Sequence, residues 1–349
     1  MVVGAAVLVL IIYNLRHNPE WRQFNWNRLW ASLVNARPGL LILALAAVYV
    51  TYLVRALRWQ FLMHPIKKGS LWILFVGQLL GFSSIYLVGR PGEFVRPAYI
   101  AKKESLPITS MVAIWLMERI FDSICLVLLF SVVLYLAPME MSAAGSHVLS
   151  VMHRAGDAML AITVVVVAGL VAYRLKTQAL MDWVMRKARF LPEKYRRHIH
   201  HFLNSFAEGL QVVRSMPDFI GTVVLSVALW CMNATIFWLT LKSLGGTLAT
   251  FVWLAAALVM FCASLGLVVQ FPGIGGGYQV GIILALTEVF RISADVSTGA
   301  AILLWLMMSV PVMALSLGLL VHEGLSIKRL EAITEEEAMA QEAAVEKTE

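Results

Sequence analysis

Long apolar stretches, separated by short polar connections, dominate the sequence. Most approach the roughly 20 residues that a helix needs to cross a hydrocarbon core of about 30 Å. Because they are continuously apolar rather than alternating, and because backbone in lipid must satisfy its own hydrogen bonds, they favour helices over a barrel. Nine segments are predicted, at 2–15, 39–63, 71–88, 108–137, 158–174, 218–241, 249–270, 278–291 and 299–322.

This pattern predicts an all-α, polytopic transmembrane helix bundle of about eight or nine membrane segments. The 278–291 segment is short for a crossing, so eight full crossings plus broken pieces fit equally well. We expect one transmembrane domain over residues 1–330. An amphipathic cytoplasmic helix is predicted at about 193–214, and an acidic cytoplasmic tail follows at 331–349.

Composition excludes a soluble enzyme: 60% of the residues are hydrophobic, 14% are charged, and the mean hydropathy is +0.78. The net charge of +7 could suggest nucleic acid, but the basic residues cluster in short connections, as in membrane proteins. We therefore expect no nucleic-acid partner. Cys125, Cys231 and Cys262 all lie in apolar runs, which predicts buried thiols rather than disulfides or metal ligands.

Loop charge predicts the orientation. The connection 174–214 carries nine Lys and Arg residues against three acidic ones, which places it in the cytoplasm. Counting crossings from there also places 16–38, 89–107 and the C-terminus inside, and the N-terminus outside. Trp21, Trp26 and Trp30, interleaved with arginines, are typical of an interfacial aromatic belt.

Two runs rich in glycine and proline interrupt membrane segments. The first is 89–93, followed by Arg96-Pro97, and the second is 271–277. Neither is compatible with a continuous helix, because proline removes a hydrogen-bond donor and glycine permits positive φ. Paired broken segments in two halves are typical of a transporter's substrate site. The alternative is that each is an ordinary interfacial turn.

Glu118, Arg119 and Asp122 form a second candidate, near the middle of the 108–137 segment. Each ionisable group at that depth costs around 2.5–3.5 kcal/mol, so the three must be paired or hydrated. We predict that Arg119 and Asp122 form a buried ion pair. An ion-paired clamp between helices and a role in substrate binding or proton relay both remain open.

Two further arginines lie in the 39–63 segment. Arg58, beside Trp59 and near the predicted helix end, is expected to extend its guanidinium to the interface. Arg55 lies deeper and is expected to pair with a carboxylate of the clamp. Signatures of soluble catalysis are absent from the sequence, including a phosphate-binding loop, a nucleophile elbow and a His-Glu-x-x-His helix. We therefore predict neither an enzyme, nor a cofactor, nor a metal site.

The three motifs together resemble the transmembrane flippase-like domain of bacterial lysyl-phosphatidylglycerol synthases and its stand-alone relatives. Residues 89–97 are similar to that family's first Pro-Gly motif, Glu118-Arg119-x-x-Asp122 to its Glu-Arg-x-x-Asp helix, and 272–275 to its second Pro-Gly motif. The order and spacing of the three motifs agree with those of the family from about residue 40 to residue 322. With no aminoacyl-transferase sequence after residue 330, the chain is similar to the stand-alone form.

The sequence departs from the family pattern in its second half. Gln279 stands where the second motif usually ends in glutamate, and the family's usual arginine near Trp305 is absent. Both departures weaken any mechanism that needs a carboxylate in that half.

The resemblance implies a flippase of the bacterial cytoplasmic membrane that moves an anionic phospholipid or another lipid phosphate. A phosphate needs arginine forks and free N–H groups, which the breaks could supply. A membrane enzyme acting on a polyprenyl-phosphate substrate, an accessory scaffold, and a homo-oligomer all remain open. The residues expected at the substrate are Arg90, Glu93, Arg96, Glu118, Arg119, Asp122, Pro272, Gly273, Gly275 and Gln279.

Overall fold

Helices account for nearly all of the fold. The structure, a computed structural model, describes residues 24–136, 154, 156–165, 168–169, 186, 215–267, 270–271 and 275–322. The helices are α1 (Trp26–Val34), α2 (Pro38–Met63), α3 (Leu71–Val88), α4 (Val95–Glu104), α5 (Ile108–Leu136), α6 (Gly156–Val165), α7 (Met216–Ser243), α8 (Trp253–Gly266), α9 (Gly277–Leu284) and α10 (Ala294–His322).

Shorter elements connect some of these helices. Arg90–Phe94 and Gly246–Thr250 are 3-10 turns, and Ala285–Val289 is a π-helical turn that extends α9. Strands β1 (Gln270–Phe271) and β2 (Gly275–Gly276) form one short antiparallel pair.

The all-α membrane bundle predicted from the sequence is confirmed. Within the described residues, α2, α5, α7 and α10 are long and apolar enough to cross a membrane, while α3, α6, α8 and α9 with its extension are apolar but shorter. The described part therefore contains eight apolar helices, four of them long enough to cross and four shorter. Three predicted elements lie outside the described residues: the segment 2–15, the amphipathic helix at 193–214 and the tail 331–349.

Helices α2 and α7 run antiparallel and join the two halves of the chain. At one end of the bundle, His64 Nδ1 lies 3.0 Å from the Asp218 carboxylate at the start of α7. At the other end, the Arg37 N–H donates to the Ser243 carbonyl over 2.8 Å. These contacts define the Asp218 end and the Ser243 end of the bundle, separated by the roughly 39 Å of a 26-residue helix.

The first break is the tip of a helical hairpin made by α3 and α4. Gly89 has a φ of 85° and ends α3, after which α4 returns alongside it. Gly81 lies against Arg96 and Gly77 against Ile100, so closely that a side chain at either glycine would collide with its neighbour. At the open end of this first hairpin, Lys67 pairs with Glu104 at 2.8 Å.

This geometry corrects the predicted topology. The predicted segment 71–88, counted as a full crossing, would put 64–70 and 89–107 on opposite sides. Instead, the Lys67–Glu104 pair brings the two ends of the hairpin together at the Asp218 end. Helix α3 is one arm of a hairpin rather than a full crossing. The predicted orientation also starts the segments 39–63 and 218–241 on the same side, which is wrong for the described helices: α2 begins beside Ser243, whereas α7 begins at the Asp218 end.

The second break is the tip of a matching hairpin made by α8 and α9. Gly266 lies against the backbone of Gly277, and Gly281 against that of Cys262, so α9 returns along α8. The Trp253 indole N–H donates to Thr235 near the end of α7, over 3.0 Å. This second hairpin therefore enters the bundle from the Ser243 end, opposite to the first.

The fold thus contains the same order of elements twice, in opposite orientations. The first repeat is α2, the first hairpin and α5, and the second is α7, the second hairpin and α10. Apolar cores lie mainly within each repeat, and a third cluster, which includes Val48, Leu79, Ile236 and Val312, joins them. Inverted repeats with broken helices are a recurrent architecture of membrane transporters.

Glu104 secures the open end of the first hairpin by an electrostatic contact. Burial raises the pKa of its carboxyl group, but hydrogen bonds from Lys67 and from the Ser70 N–H outweigh burial and hold the pKa below its usual value. A lowered carboxyl pKa stabilises the fold while the group is ionised. This contribution is present above the group's ordinary pKa and is lost as the pH falls through the folded-state value.

Candidate functional site

A buried ion cluster surrounds Glu118 in α5. Its carboxylate is fully buried and accepts hydrogen bonds from Arg58 over 2.6 Å and from the Trp59 indole over 2.7 Å. Arg96, directly after the tip of the first hairpin, lies 2.8 Å from the same carboxylate. The cluster therefore ties α2, α4 and α5 together within the first repeat.

Arg58 is the centre of this cluster, and its predicted extension to the interface is wrong. Its guanidinium is 0% exposed and bonds both Glu118, at 2.6 Å, and Asp122, at 2.5 Å. It also donates to the Ser226 hydroxyl over 3.0 Å, which links the cluster to α7. Arg58 cannot reach the interface because its face of α2 packs against α5 and α7.

The predicted Arg119–Asp122 pair is present but is a weaker part of the cluster. Arg119 lies 3.5 Å from Asp122 and 3.3 Å from Glu118, and 35% of its side chain is exposed. Glu93, half-buried in the first break, also attracts the Arg119 guanidinium electrostatically. The deeply buried partner of Asp122 is Arg58, which the sequence pattern assigned elsewhere.

Arg96 was expected to bind a phosphate in a hydrated break, and the structure gives it another position. It is 4% exposed, pairs with Glu118 and donates to Gln78 over 2.6 Å. Pro97 lies in the first turn of α4, where its missing N–H is not required. Arg90 lies in the 3-10 turn, and its side chain is outside the described part of the structure.

Arg55 differs from its neighbours in having no ion pair with any described residue. Its predicted carboxylate partner is not found: within the described residues it makes no hydrogen bond or salt bridge, and its Nε atom is buried without an acceptor. Its guanidinium lies 4.7 Å from the centre of the Phe82 ring. Arg96 of the ion cluster approaches the same ring at 5.6 Å, so Phe82 contacts both arginines.

Arg55 faces a cavity of about 130 Å³ between the two hairpins. Phe82 and Tyr86, just before the first break, line one part of it. Ser264 and Tyr278, on either side of the second break, line another. The helix ends that flank the two breaks therefore line one cavity, whereas no described side chain of 89–94 or 271–277 lines it.

The remaining residues of the second motif are partly described. Gly275 pairs with Phe271 through the backbone, and Gln279 lies half-buried in the first turn of α9. Pro272 and Gly273 fall outside the described residues. The break itself is confirmed, since α8 ends at Gly266 and α9 begins at Gly277.

Sequence reasoning missed the wall of the cavity that α7 supplies, which includes Trp230 and Asn233. The signal was modest: one asparagine within the apolar 218–241 segment. Such a residue is costly at membrane depth unless it has a polar partner. Only the packing of α7 against α2, α8 and α10 shows where Asn233 lies.

The arrangement of motifs and repeats agrees with a comparison against protein families. The family described as the lysylphosphatidylglycerol synthase TM region matches residues 1–318. The chain belongs to this family. The match extends over both inverted repeats, up to the last turn of α10.

Membership of this family, together with the long apolar helices, shows that the chain is a multi-pass membrane protein with a lipid-related role. A comparison with curated proteins gives no match.

Proposed function

We propose that this protein moves a lipid with an anionic phosphate between the leaflets of a bacterial cytoplasmic membrane. The observation that carries the proposal is the position of Arg55, which faces a cavity between two oppositely inserted hairpins and has no carboxylate partner in the described structure. Transporters with inverted repeats bind their substrates near such broken helices. The family's lipid-related role supports the same class of substrate.

A lipid phosphate suits the electrostatics of this cavity. An unpaired guanidinium at membrane depth costs around 2.5–3.5 kcal/mol on insertion scales, and an anionic partner offsets that cost. Arginine offers two parallel N–H donors that match phosphate oxygens. In this proposal Arg55 holds the phosphate, and Arg58 and Arg96 hold the first hairpin in place.

The contacts of the carboxylates argue against a membrane enzyme with Glu118 or Asp122 as its general base. Glu118 is fully buried and already accepts hydrogen bonds from Arg58, Arg96 and Trp59. Asp122 accepts from Arg58 at both oxygens. Since a base must reach the proton it removes, these groups are better suited to fixing the helices.

We propose that transport of the lipid is downhill or coupled to an ion.

The direct test is lipid movement in liposomes. We expect purified protein to expose a fluorescent, acyl-labelled phosphatidylglycerol of the inner leaflet to an external quencher, much faster than in protein-free vesicles and without ATP. Vesicles that contain an unrelated helical membrane protein control for bilayer disturbance. Equal rates in all three preparations would contradict the proposal.

We further propose that the Asp218 end faces the cytoplasm and that the C-terminus lies there. That end carries Lys67, Lys68, Lys102 and Lys103. Helix α7 also begins there, and the strongly basic connection 174–214 directly precedes α7 in the sequence. Helix α10 begins near α1, where Gly299 contacts Ser32, and runs toward the same end.

Cysteine labelling in intact cells tests this orientation. We expect Lys187→Cys to be protected from a membrane-impermeant thiol reagent, whereas Lys242→Cys, at the Ser243 end, should react from outside. Arg37→Cys should behave like Lys242→Cys, because both lie at the same end. Labelling of position 187 from outside, with position 242 protected, would invert the proposed orientation.

A further inference from the structure

The Asp218 end of the bundle presents exposed basic residues without exposed acidic ones. Four exposed lysines lie there, here called the lysine patch: Lys67, Lys68, Lys102 and Lys103. The described acidic residues of this end are Glu104 and Asp218, and both are buried against a basic side chain. Within the described part of the chain, the lysine patch therefore has no exposed carboxylate beside it.

The lysine patch lies on the open end of the first hairpin rather than along its sides. In α4, every residue from Arg96 to Ala101 is buried, and exposure begins at Lys102. The Lys67 ammonium donates to the Glu104 carbonyl over 2.6 Å, which brings the connection before α3 against the end of α4. Because the hairpin is enclosed along its length, its open end faces the aqueous side of the membrane rather than the acyl chains.

The most acidic segment of the chain follows α10, which ends at the same end of the bundle. Residues 331–349 lie outside the described residues and contain seven glutamates and one lysine. Leu319, near the end of α10, packs against the apolar cluster that contains Met63 and Leu74, on either side of the connection that carries Lys67. The eight residues between His322 and Glu331 span up to about 28 Å when extended. The acidic segment therefore begins within reach of the lysine patch.

We infer that residues 331–349 dock on the lysine patch and neutralise it. A single exposed ion pair contributes little, but seven glutamates opposite four lysines form several pairs at once. The short tether also keeps the two groups at a high effective concentration. A docked segment cancels the positive field that this end otherwise presents to anions. The inference does not depend on the proposed lipid movement.

An anionic membrane surface is the other partner with the right charge for the lysine patch. The position of the patch favours the acidic segment, because lipid headgroups surround the perimeter of a bundle, whereas these lysines lie on the end of an enclosed hairpin. The experiments below distinguish the two partners.

Cross-linking of the full chain tests the contact. A carbodiimide joins a lysine amine to a carboxylate only where the two groups touch. With one protein per phosphatidylcholine nanodisc, we expect mass spectrometry to find links from the glutamates of 331–349 to Lys68, Lys102 or Lys103. Lys242, at the Ser243 end, is the internal control and should carry none. Absence of patch links, or equal links to Lys242, would overturn the inference.

Charge reversal tests the cause of the contact, with a spin label on Ala340→Cys to report the mobility of the segment. Protein without this substitution measures labelling of the native thiols. We expect an immobilised component that is lost when salt rises from about 0.1 M to about 1 M, because the screening length falls from about 10 Å to about 3 Å. Two triple variants should each lose this component, and their combination should restore it: Lys68→Glu/Lys102→Glu/Lys103→Glu and Glu335→Lys/Glu336→Lys/Glu337→Lys.

A matched triple variant controls for the change in total charge. Arg28→Glu/Arg37→Glu/Lys242→Glu reverses three charges at the Ser243 end and should leave the label immobilised. A label that stays immobilised after the lysine reversal, or one that the combined variant leaves mobile, overturns the inference. Release of the label by phosphatidylglycerol in the nanodisc also overturns it, because the lysine patch then binds headgroups. Should the lysine reversal not fold, the cross-links and the salt dependence decide.

Discussion

Arg58→Met is expected to destabilise the folded protein by about 3–5 kcal/mol, the usual cost of removing one partner of a buried ion pair. The guanidinium is fully buried and bonds Glu118 and Asp122 together. Its loss leaves Glu118 paired with Arg96 but leaves Asp122, at membrane depth, with only the 3.5 Å contact to Arg119. Methionine preserves an apolar side chain of similar length, which limits the packing loss. Unfolding of the purified protein in detergent measures the effect.

Two further variants show whether the cause is the stranded charge. Arg37→Met, at an exposed arginine before α2, should leave stability unchanged. The double variant Arg58→Met/Asp122→Asn should recover part of the loss, because it removes the carboxylate that has lost its close partner. If Arg58→Met proves as stable as Arg37→Met, then Arg58 is not the centre of the cluster and its extension to the interface would again be the better interpretation.

Arg55→Gln is expected to have the opposite profile, with transport lost and stability kept. Removing a buried guanidinium that has no carboxylate partner in the described residues should not destabilise the fold, and stability should stay equal or rise. Losing charged hydrogen bonds to the lipid phosphate should slow phosphatidylglycerol movement roughly 10- to 100-fold. Liposome rates and detergent unfolding are measured on the same preparations.

The controls for this variant separate charge from geometry. Arg37→Gln applies the same substitution at an exposed site and should leave transport unchanged. Arg55→Lys keeps the charge but loses the fork of two donors, so an intermediate rate is expected. A stable Arg55→Gln that moves lipid at the wild-type rate would remove the phosphate-binding role of Arg55. A strongly destabilised one would mean that Arg55 is structural, like Arg58.

The positions of the two breaks were predictable because their causes are local. Gly89 ends α3 with a positive φ, as a residue without a side chain allows, and the run 271–277 separates α8 from α9. What each break produces was not predictable from the same residues. A Gly/Pro run ends a helix equally well in a loop between crossings and at the tip of a hairpin.

Close helix approach decided between those outcomes. Gly77 and Gly81 present one bare face of α3, against which Ile100 and Arg96 of α4 fit, and Gly281 does the same for α9 against α8. The sequence contains these glycines, but a glycine in an apolar segment does not reveal its neighbour. Counting each arm as a crossing therefore placed 64–70 and 89–107 on opposite sides. The orientation that was predicted by counting crossings from the basic connection contained the same error.

By itself, the sequence determined the membrane class, the bounds of the long helices and the need to neutralise Glu118, Arg119 and Asp122, since hydropathy and ion desolvation act on any arrangement of the chain. Tertiary structure decided which arginine does so. Arg55 and Arg58 are three residues apart on one helix, yet Arg58 meets carboxylates about 60 positions along the chain, while Arg55 faces the cavity. Coulomb pairing depends on distances of a few ångströms, and only the packing of α2 against α5 and α7 sets those distances.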